Sequence, residues 1–346
     1  MVRVRTLVDA ARRLAEAECD LGRRVRGELV ASTGLSPAGV ELAFTRCLET
    51  TPTDEEVAEL VASVEPAPRA HVILPANVFV AAHRAIALAL AASEHVFVRP
   101  SRREPHFARG LAAAAPGLFG VVTAIEAAAG DQLWAYGGDT SLAAIAREIP
   151  AGVLLRAQGP GFGVAVVDAE HATAEAAEAL ARDVAPFEQR GCLSPRAVLV
   201  AGSGDDARRF ATLVAAALTG LAREVPAGRL DAAEAADARA FRDARAYAGE
   251  LFPAGPGVVA LGGPETLELA PVGRNLMVTP TADPAALLGP AAPQVTAVGY
   301  AAGSALSSRL GRALPEARQS RLGAMQRPRF DGPADRRIHP GASRLL

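Results

Sequence analysis

Apolar residues recur at helical spacing through residues 3–31. Ser36-Pro37 and the Thr53-Asp54-Glu55-Glu56 capping box predict two further helix starts, so about the first seventy residues read as helical. After Pro66-Ala67-Pro68 the pattern changes. Short apolar runs, often β-branched, predict strands at 71–74, 95–99, 119–124, 133–136 and 153–156, with helices at 78–92, 105–115 and 141–148 between them. A second alternating set follows from about residue 157. It has strands at 164–168, 197–201, 258–261, 276–280 and 295–300, and helices at 173–187, 205–223, 229–251 and 304–314. The tail from Ser320 is rich in Arg, Gly and Pro and reads as an extended arm.

Such alternation predicts an α/β fold with two doubly wound, Rossmann-type domains, each a parallel sheet covered on both faces. The expected division is a helical N-terminal segment plus a dinucleotide-binding domain over 1–156, a second domain over 157–318 and an arm over 319–346. A chain of 346 residues suffices for this. The apolar run 81–92 is too short to span a bilayer and carries His83 and Arg84, which makes it a core helix. Met1-Val2-Arg3-Val4-Arg5 leads into an amphipathic helix rather than a signal peptide, so a cytoplasmic location is expected. The net charge of −2 provides no field to gather nucleic acid or anionic lipid.

Three scattered cysteines argue against a disulfide framework, and no spacing suggests a metal site. Cys19 and Cys47 lie in amphipathic helical patterns. Cys192 differs: it sits in Gly191-Cys192-Leu193-Ser194-Pro195, on the connection between a helix and a strand. A free cysteine is more often packing than chemistry, but the preceding glycine and the loop position leave its sulfur room for a substrate carbonyl. None of the six histidines has a thiol-activating context, so a Cys-His hydrolase is not supported. Asn77, between the first strand and its helix, is either a helix cap or a carboxamide donor to an oxyanion. Arg99-Pro100-Ser101 ends the next strand, on the carboxyl edge where ligands bind doubly wound sheets; a solvated strand end is the plainer reading of Arg99.

Taken in order and spacing, Asn77, Arg99-Pro100-Ser101 and the Cys192 turn resemble the aldehyde dehydrogenase superfamily. The closer likeness is to its acyl-CoA reductase branch, the long-chain fatty-acid reductases of luminous bacteria and their relatives. Trp134-Ala135-Tyr136-Gly137-Gly138-Asp139 looks like that branch's nucleotide-site turn, with Asp139 read as a helix cap pointing away. Arg321-Leu322-Gly323-Ala324-Met325-Gln326 with Phe330-Asp331-Gly332 looks like its C-terminal signature.

The resemblance implies that Cys192 takes an acyl group from a thioester, which hydride from NADPH then reduces to an aldehyde. It assigns Asn77 and the Cys192 backbone N–H to the oxyanion, and Arg99, Ser101, Gly137 and Gly138 to the cofactor. The family's hydrolytic members carry a general-base glutamate where this chain has Arg156-Ala157-Gln158-Gly159-Pro160-Gly161, without a carboxylate. Its absence suits a reductase. The family lysine near the adenosine ribose is Arg99 here, in a chain that has no lysine; an arginine fork suits a 2′-phosphate, favouring NADPH and leaving NADH open. The donor is acyl-CoA or acyl carrier protein, and a homo-oligomer is compatible with the resemblance. Two other readings stand beside it: a CoA-acylating aldehyde dehydrogenase running in the other direction with the same residues, and a degenerate member kept as a binding subunit, for which the chain's shorter length argues and against which Cys192 and Asn77 argue.

Overall fold

The computed structural model describes residues 1–327, 329 and 330; Asp331, Gly332 and most of the expected arm lie outside the described residues. The chain forms two compact units. One comprises Met1–Thr33, Ala43–Pro160 and the described residues from Arg327; the other comprises Gly34–Leu42 and Gly161–Gln326.

The first unit opens with α1 (Val2–Ala15) and α2 (Asp20–Thr33), so the stretch of helical spacing over 3–31 is divided between two helices. In the second unit α3 (Pro37–Leu42) follows, starting where Ser36-Pro37 predicts. Back in the first, α4 (Asp54–Ala62) is closed at its start by the predicted box: Thr53 accepts from the Glu56 N–H, and Glu56 accepts from the Thr53 N–H. The α/β region then runs β1 (Arg69–Ile73), α5 (Ala81–Ala92), β2 (His95–Arg99), α6 (His106–Ala114), β3 (Gly120–Val121), β4 (Gln132–Tyr136), α7 (Asp139–Glu148) and β5 (Leu154–Gln158). These five strands are parallel in the order β3-β2-β1-β4-β5. The expected strand over 119–124 keeps only two residues.

Successive strand residues face opposite sides, so Ala70, Val72, Val96 and Val98 are buried on alternate positions from Ile73, Leu133 and Ala135. The second set packs on α7 through Leu142. Helix α5, apolar nearly all round, packs between β1 and α1. Phe44, Phe79 and Phe107 meet beside it with ring centroids 5.2–5.9 Å apart, and the Arg26 guanidinium lies 4.3 Å over Phe44. Burying each such ring stabilises by roughly 1.5–3 kcal/mol.

The second unit continues with β6 (Phe162–Asp168), α8 (Ala174–Val184), β7 (Pro195–Ala201), α9 (Gly204–Glu224), α10 (Ala232–Ala248), β8 (Leu251–Ala254), β9 (Gly257–Leu261), β10 (Leu276–Thr281), α11 (Pro284–Leu288), β11 (Val295–Ala301), α12 (Ser304–Ala313) and β12 (Arg318–Arg321). Its sheet order is β12-β11-β6-β7-β10-β9-β8, parallel except for the β8–β9 hairpin. Ala165, Val167, Val198 and Val200 face α8 and α9; Val164, Val166, Ala197 and Leu199 face α11 and α12. Burial on both faces explains the unbroken apolar strands.

Three expectations change here. Strands β8 and β12 replace the end of a predicted helix and the start of the predicted arm. The helix expected over 173–187 stops at Val184, because Phe187, Glu188 and Gln189 all turn left-handed, with φ of 54°, 53° and 64°. And α5 begins at Ala81, so Asn77 caps nothing. No helix among the described residues is long and apolar enough to cross a membrane.

Candidate active site

Cys192 is exposed on the turn Gly191–Ser194, where the Ser194 N–H donates to the Gly191 carbonyl at 3.0 Å. β7 begins at the next residue, so the cysteine stands at the amino end of a central strand of the second unit. Both stems of the turn are fixed below it. On the entry side Arg190 grips Glu234 through two hydrogen bonds of 2.7 and 2.8 Å and donates to the Arg229 carbonyl. That pairing holds the Glu234 carboxyl below its ordinary range and raises the guanidinium. On the exit side Ser194 is fully buried, and its hydroxyl accepts from Gln326 at 3.1 Å.

The left-handed residues before Arg190 would each cost on the order of 1–3 kcal/mol if nothing held them. A buried polar network holds them. Arg274 meets the Glu188 carboxylate with two hydrogen bonds of 3.0 and 2.8 Å, and Glu188 also accepts from the Gly228 N–H at 3.0 Å. The Glu188 carbonyl accepts from the Gly273 N–H at 3.0 Å. Gln189 donates to the Pro195 and Asn275 carbonyls at 3.0 and 2.7 Å and accepts from the Asn275 N–H at 2.8 Å. Glu188, Gln189, Arg274 and Asn275 are each at most 2 % exposed. Every one is charged or polar, so the network is stable only if complete.

A further brace comes from Asp183 on α8. Its carboxylate accepts from the Gly323 and Met325 N–H groups at 2.6 and 2.9 Å, while its carbonyl accepts from Gln326. Burial pushes the Asp183 carboxyl up to about 7 against the pull of those donors and of Arg318. The segment 321–326, singled out in sequence as a signature, thus reaches the base of the Cys192 turn through Gln326.

In the first unit the named residues gather on one sheet edge. β1 and β2 end in register at Ile73 and Arg99, and β1 lies beside β4, which ends at Tyr136. Asn77 follows β1, Arg99 and Ser101 close β2, and Gly137 and Gly138 follow β4. This is the carboxyl edge, and the crevice between β1 and β4 is where the strand order reverses. Asn77 is exposed and makes no side-chain hydrogen bond to a described residue, while Phe79, two residues on, anchors the loop in the aromatic cluster. Arg99 is half-buried and makes no ion pair with a described residue. The Ser101 hydroxyl accepts from the Arg103 N–H. Gly138 caps α7 and Asp139 is its first residue, not the cap expected. Gln158, in the stretch lacking a carboxylate, is buried at the end of β5.

Sequence reasoning misses Glu188, Gln189, Arg274, Asn275 and Gly163. The partners of the first four lie up to 86 residues away, so local pattern carries no signal for those four. Gly163 on β6 carries one, as a glycine inside a strand. A Cβ there would meet the Leu193 carbonyl oxygen at 2.5 Å, and its N–H donates to Ser194.

Residues 122–252 match the family model "Acyl-CoA reductase (LuxC)", a span that takes in Gly137, Gly138 and Cys192. No curated protein matches the chain. Among solved structures the chain is similar to an oxidoreductase from Marinobacter aquaeolei at 14% identity and TM-score 0.68, covering 98% of this chain and 84% of that one. It is similar to an NAD-dependent benzaldehyde dehydrogenase from Corynebacterium glutamicum at 16% identity and TM-score 0.68, over 93% and 81%. An NADP-dependent glyceraldehyde-3-phosphate dehydrogenase from Bacillus halodurans C-125, complexed with NADP, gives 16% identity and TM-score 0.64 over 93% and 78%. Residues 122–252 thus carry the sequence pattern of the acyl-CoA reductase (LuxC) family, in a chain with the aldehyde dehydrogenase fold.

Proposed function

We propose that the protein is a nicotinamide-dependent oxidoreductase that reduces a fatty acyl thioester, acyl-CoA or acyl carrier protein, to the aldehyde through an acyl-enzyme on Cys192. The observation that carries this reading is the exposed Cys192, on a turn fixed at both stems, within the family-matched segment. The Cys192 thiolate attacks the thioester carbonyl carbon. A bond to its sulfur forms and the carbonyl oxygen takes the negative charge; the carbonyl then re-forms as the carbon–sulfur bond to the original thiol breaks, and that thiol leaves as a thiolate that takes its proton from water. Asn77's carboxamide and the Cys192 N–H would stabilise that oxyanion.

The first unit fits a dinucleotide on three counts. Gly138 opens α7 with nothing within 4 Å of where a Cβ would stand, Arg99 has no ion pair with a described residue, and Ser101 closes the same edge. Gly137 and Gly138 would hold the pyrophosphate, and Arg99 with Ser101 the ribose and its 2′-phosphate, favouring NADPH over NADH. NADPH, when bound, supplies the hydride that turns the acyl-enzyme into aldehyde and frees the cysteine thiolate. With Ala157 and Gln158 where a general base would stand, water is not activated, which keeps the acyl group for reduction.

Incubation with a labelled acyl-CoA tests the reading. Label retained as a thioester on the protein and lost in Cys192→Ala is the expected result. An unlabelled wild type sinks it, as does label that survives the substitution. The same preparation supplied with NADPH or NADH reports cofactor and direction.

A further inference from the structure

Gln189 occupies an unusual place for a buried side chain. It lies three residues before Cys192, and its amide donates to Pro195, three residues after it. The same amide nitrogen donates to the Asn275 carbonyl, and the amide oxygen accepts the Asn275 N–H. Pro195 is the first residue of β7, and Asn275 immediately precedes β10, β7's parallel neighbour. The carboxamide therefore serves as a rung between two strand ends, just before their ladder begins. It also closes a ring around the turn that carries the cysteine. Glu188 and Arg274 complete the geometry: the left-handed backbone they hold aims the next side chain inward.

We propose that Gln189 is a positioning residue for Cys192, setting the width of the turn and the orientation of its backbone N–H groups around the sulfur. The proposal rests on the reading of Cys192 as the nucleophile. A side chain that merely filled space would not need three hydrogen bonds that tie the entry side of the turn to its exit at Pro195 and to Asn275 at the neighbouring strand end. The carboxamide is matched atom for atom, two donors and one acceptor, and a shorter or apolar side chain cannot reproduce that.

The experiment compares the full-length wild type with Gln189→Met, which keeps size without hydrogen bonds, and Gln189→Asn, which keeps the amide with less reach. Three readouts are taken: the pH profile of Cys192 alkylation by iodoacetamide, the rate of acyl-enzyme formation from labelled acyl-CoA, and KM for NADPH. Expected in Gln189→Met is an alkylation half-point about one pH unit higher, because thiolate stabilisation by the turn is lost. Acyl-enzyme formation should slow by about tenfold or more, with KM for NADPH held within about twofold. Gln189→Asn should fall between. A wild-type alkylation profile and acylation rate in Gln189→Met overturns the proposal. So does loss of the native near-ultraviolet circular dichroism in both variants, which would mark Gln189 as serving the fold as a whole. Alkylation needs no acyl chemistry, so a wild type that never acylates defeats the functional reading while the iodoacetamide profile still decides the role of Gln189.

Discussion

Arg274 and Glu188 form a two-pronged ion pair with side chains 1 % and 2 % exposed, one just before a central strand and the other in the left-handed turn leading to Cys192. Arg274 is itself left-handed, with φ of 63°, and a Cβ on Gly257 would meet its carbonyl oxygen at 2.2 Å. Removing one partner strands the other's charge where water cannot reach it. Glu188→Gln should cost about 3–5 kcal/mol of unfolding free energy, read as a lower urea midpoint. Arg274→Lys should lose nearly as much, because an ammonium cannot match the fork.

Asn77 has the opposite profile, exposed and without a side-chain hydrogen bond to a described residue. Asn77→Ala should leave the melting temperature unchanged and slow acyl-enzyme formation by about 10²–10³-fold, the usual loss for an oxyanion donor. Rapid-quench acylation with calorimetry separates the two effects. An unaltered acylation rate would remove Asn77 from the site.

At Gly163 strand β6 lies directly against the cysteine turn. Its obstacle is backbone, the Leu193 carbonyl, which cannot rotate away as a side-chain end could. Gly163→Ala should push the turn outward, destabilise the protein by about 1–3 kcal/mol and cut acylation. Thermal unfolding and acyl-CoA labelling check both.

Acid and base should act on the two units in opposite senses. His83 in α5 is buried, its Nε2 without a hydrogen-bond partner among the described residues, and burial lowers its pKa to about 3 from an ordinary 6.5. The unfolded chain therefore binds the proton first, and the first unit loses stability as pH falls from about 6.5 towards 3. Asp183 is reversed. With a folded value near 7 and an ordinary one of 3.8, its folded form keeps the proton longer, so the second unit loses stability as pH rises from about 4 to 7. One proton in each case sets a slope of up to ~1.4 kcal/mol per pH unit. Calorimetry between pH 5 and 7.5 on His83→Leu and Asp183→Asn should show each slope flattened in its own unit. Unchanged slopes would refute the assignment.

Much of this fold was legible in the order of residues. The run 95–99 becomes β2 residue for residue, and the Thr53–Glu56 box closes α4 as its spacing predicts, because both depend on local pattern. Cys192 announces itself through its glycine and Ser-Pro neighbours. What surrounds it does not. Phe187, Glu188 and Gln189 contain no glycine or asparagine to warn of a left-handed turn, and their conformation follows from Arg274 and Asn275 far along the chain. Asn77 failed as a cap for a similar reason: Phe79 is drawn into an aromatic cluster, and the helix starts only after it. The edge strand β12 hides in the polar run Arg-Gln-Ser-Arg.

The left-handed turn also bears on the order in which the protein can be built. Its partners Arg274 and Asn275 emerge from the ribosome some eighty residues after the cysteine, and Gln326 later still. Until β10 has been made and docked, nothing holds residues 187–189 in a conformation they would not choose alone. A nascent chain thus carries its thiol in an unshaped state, and the turn can be drawn into form only after most of the second unit has been synthesised.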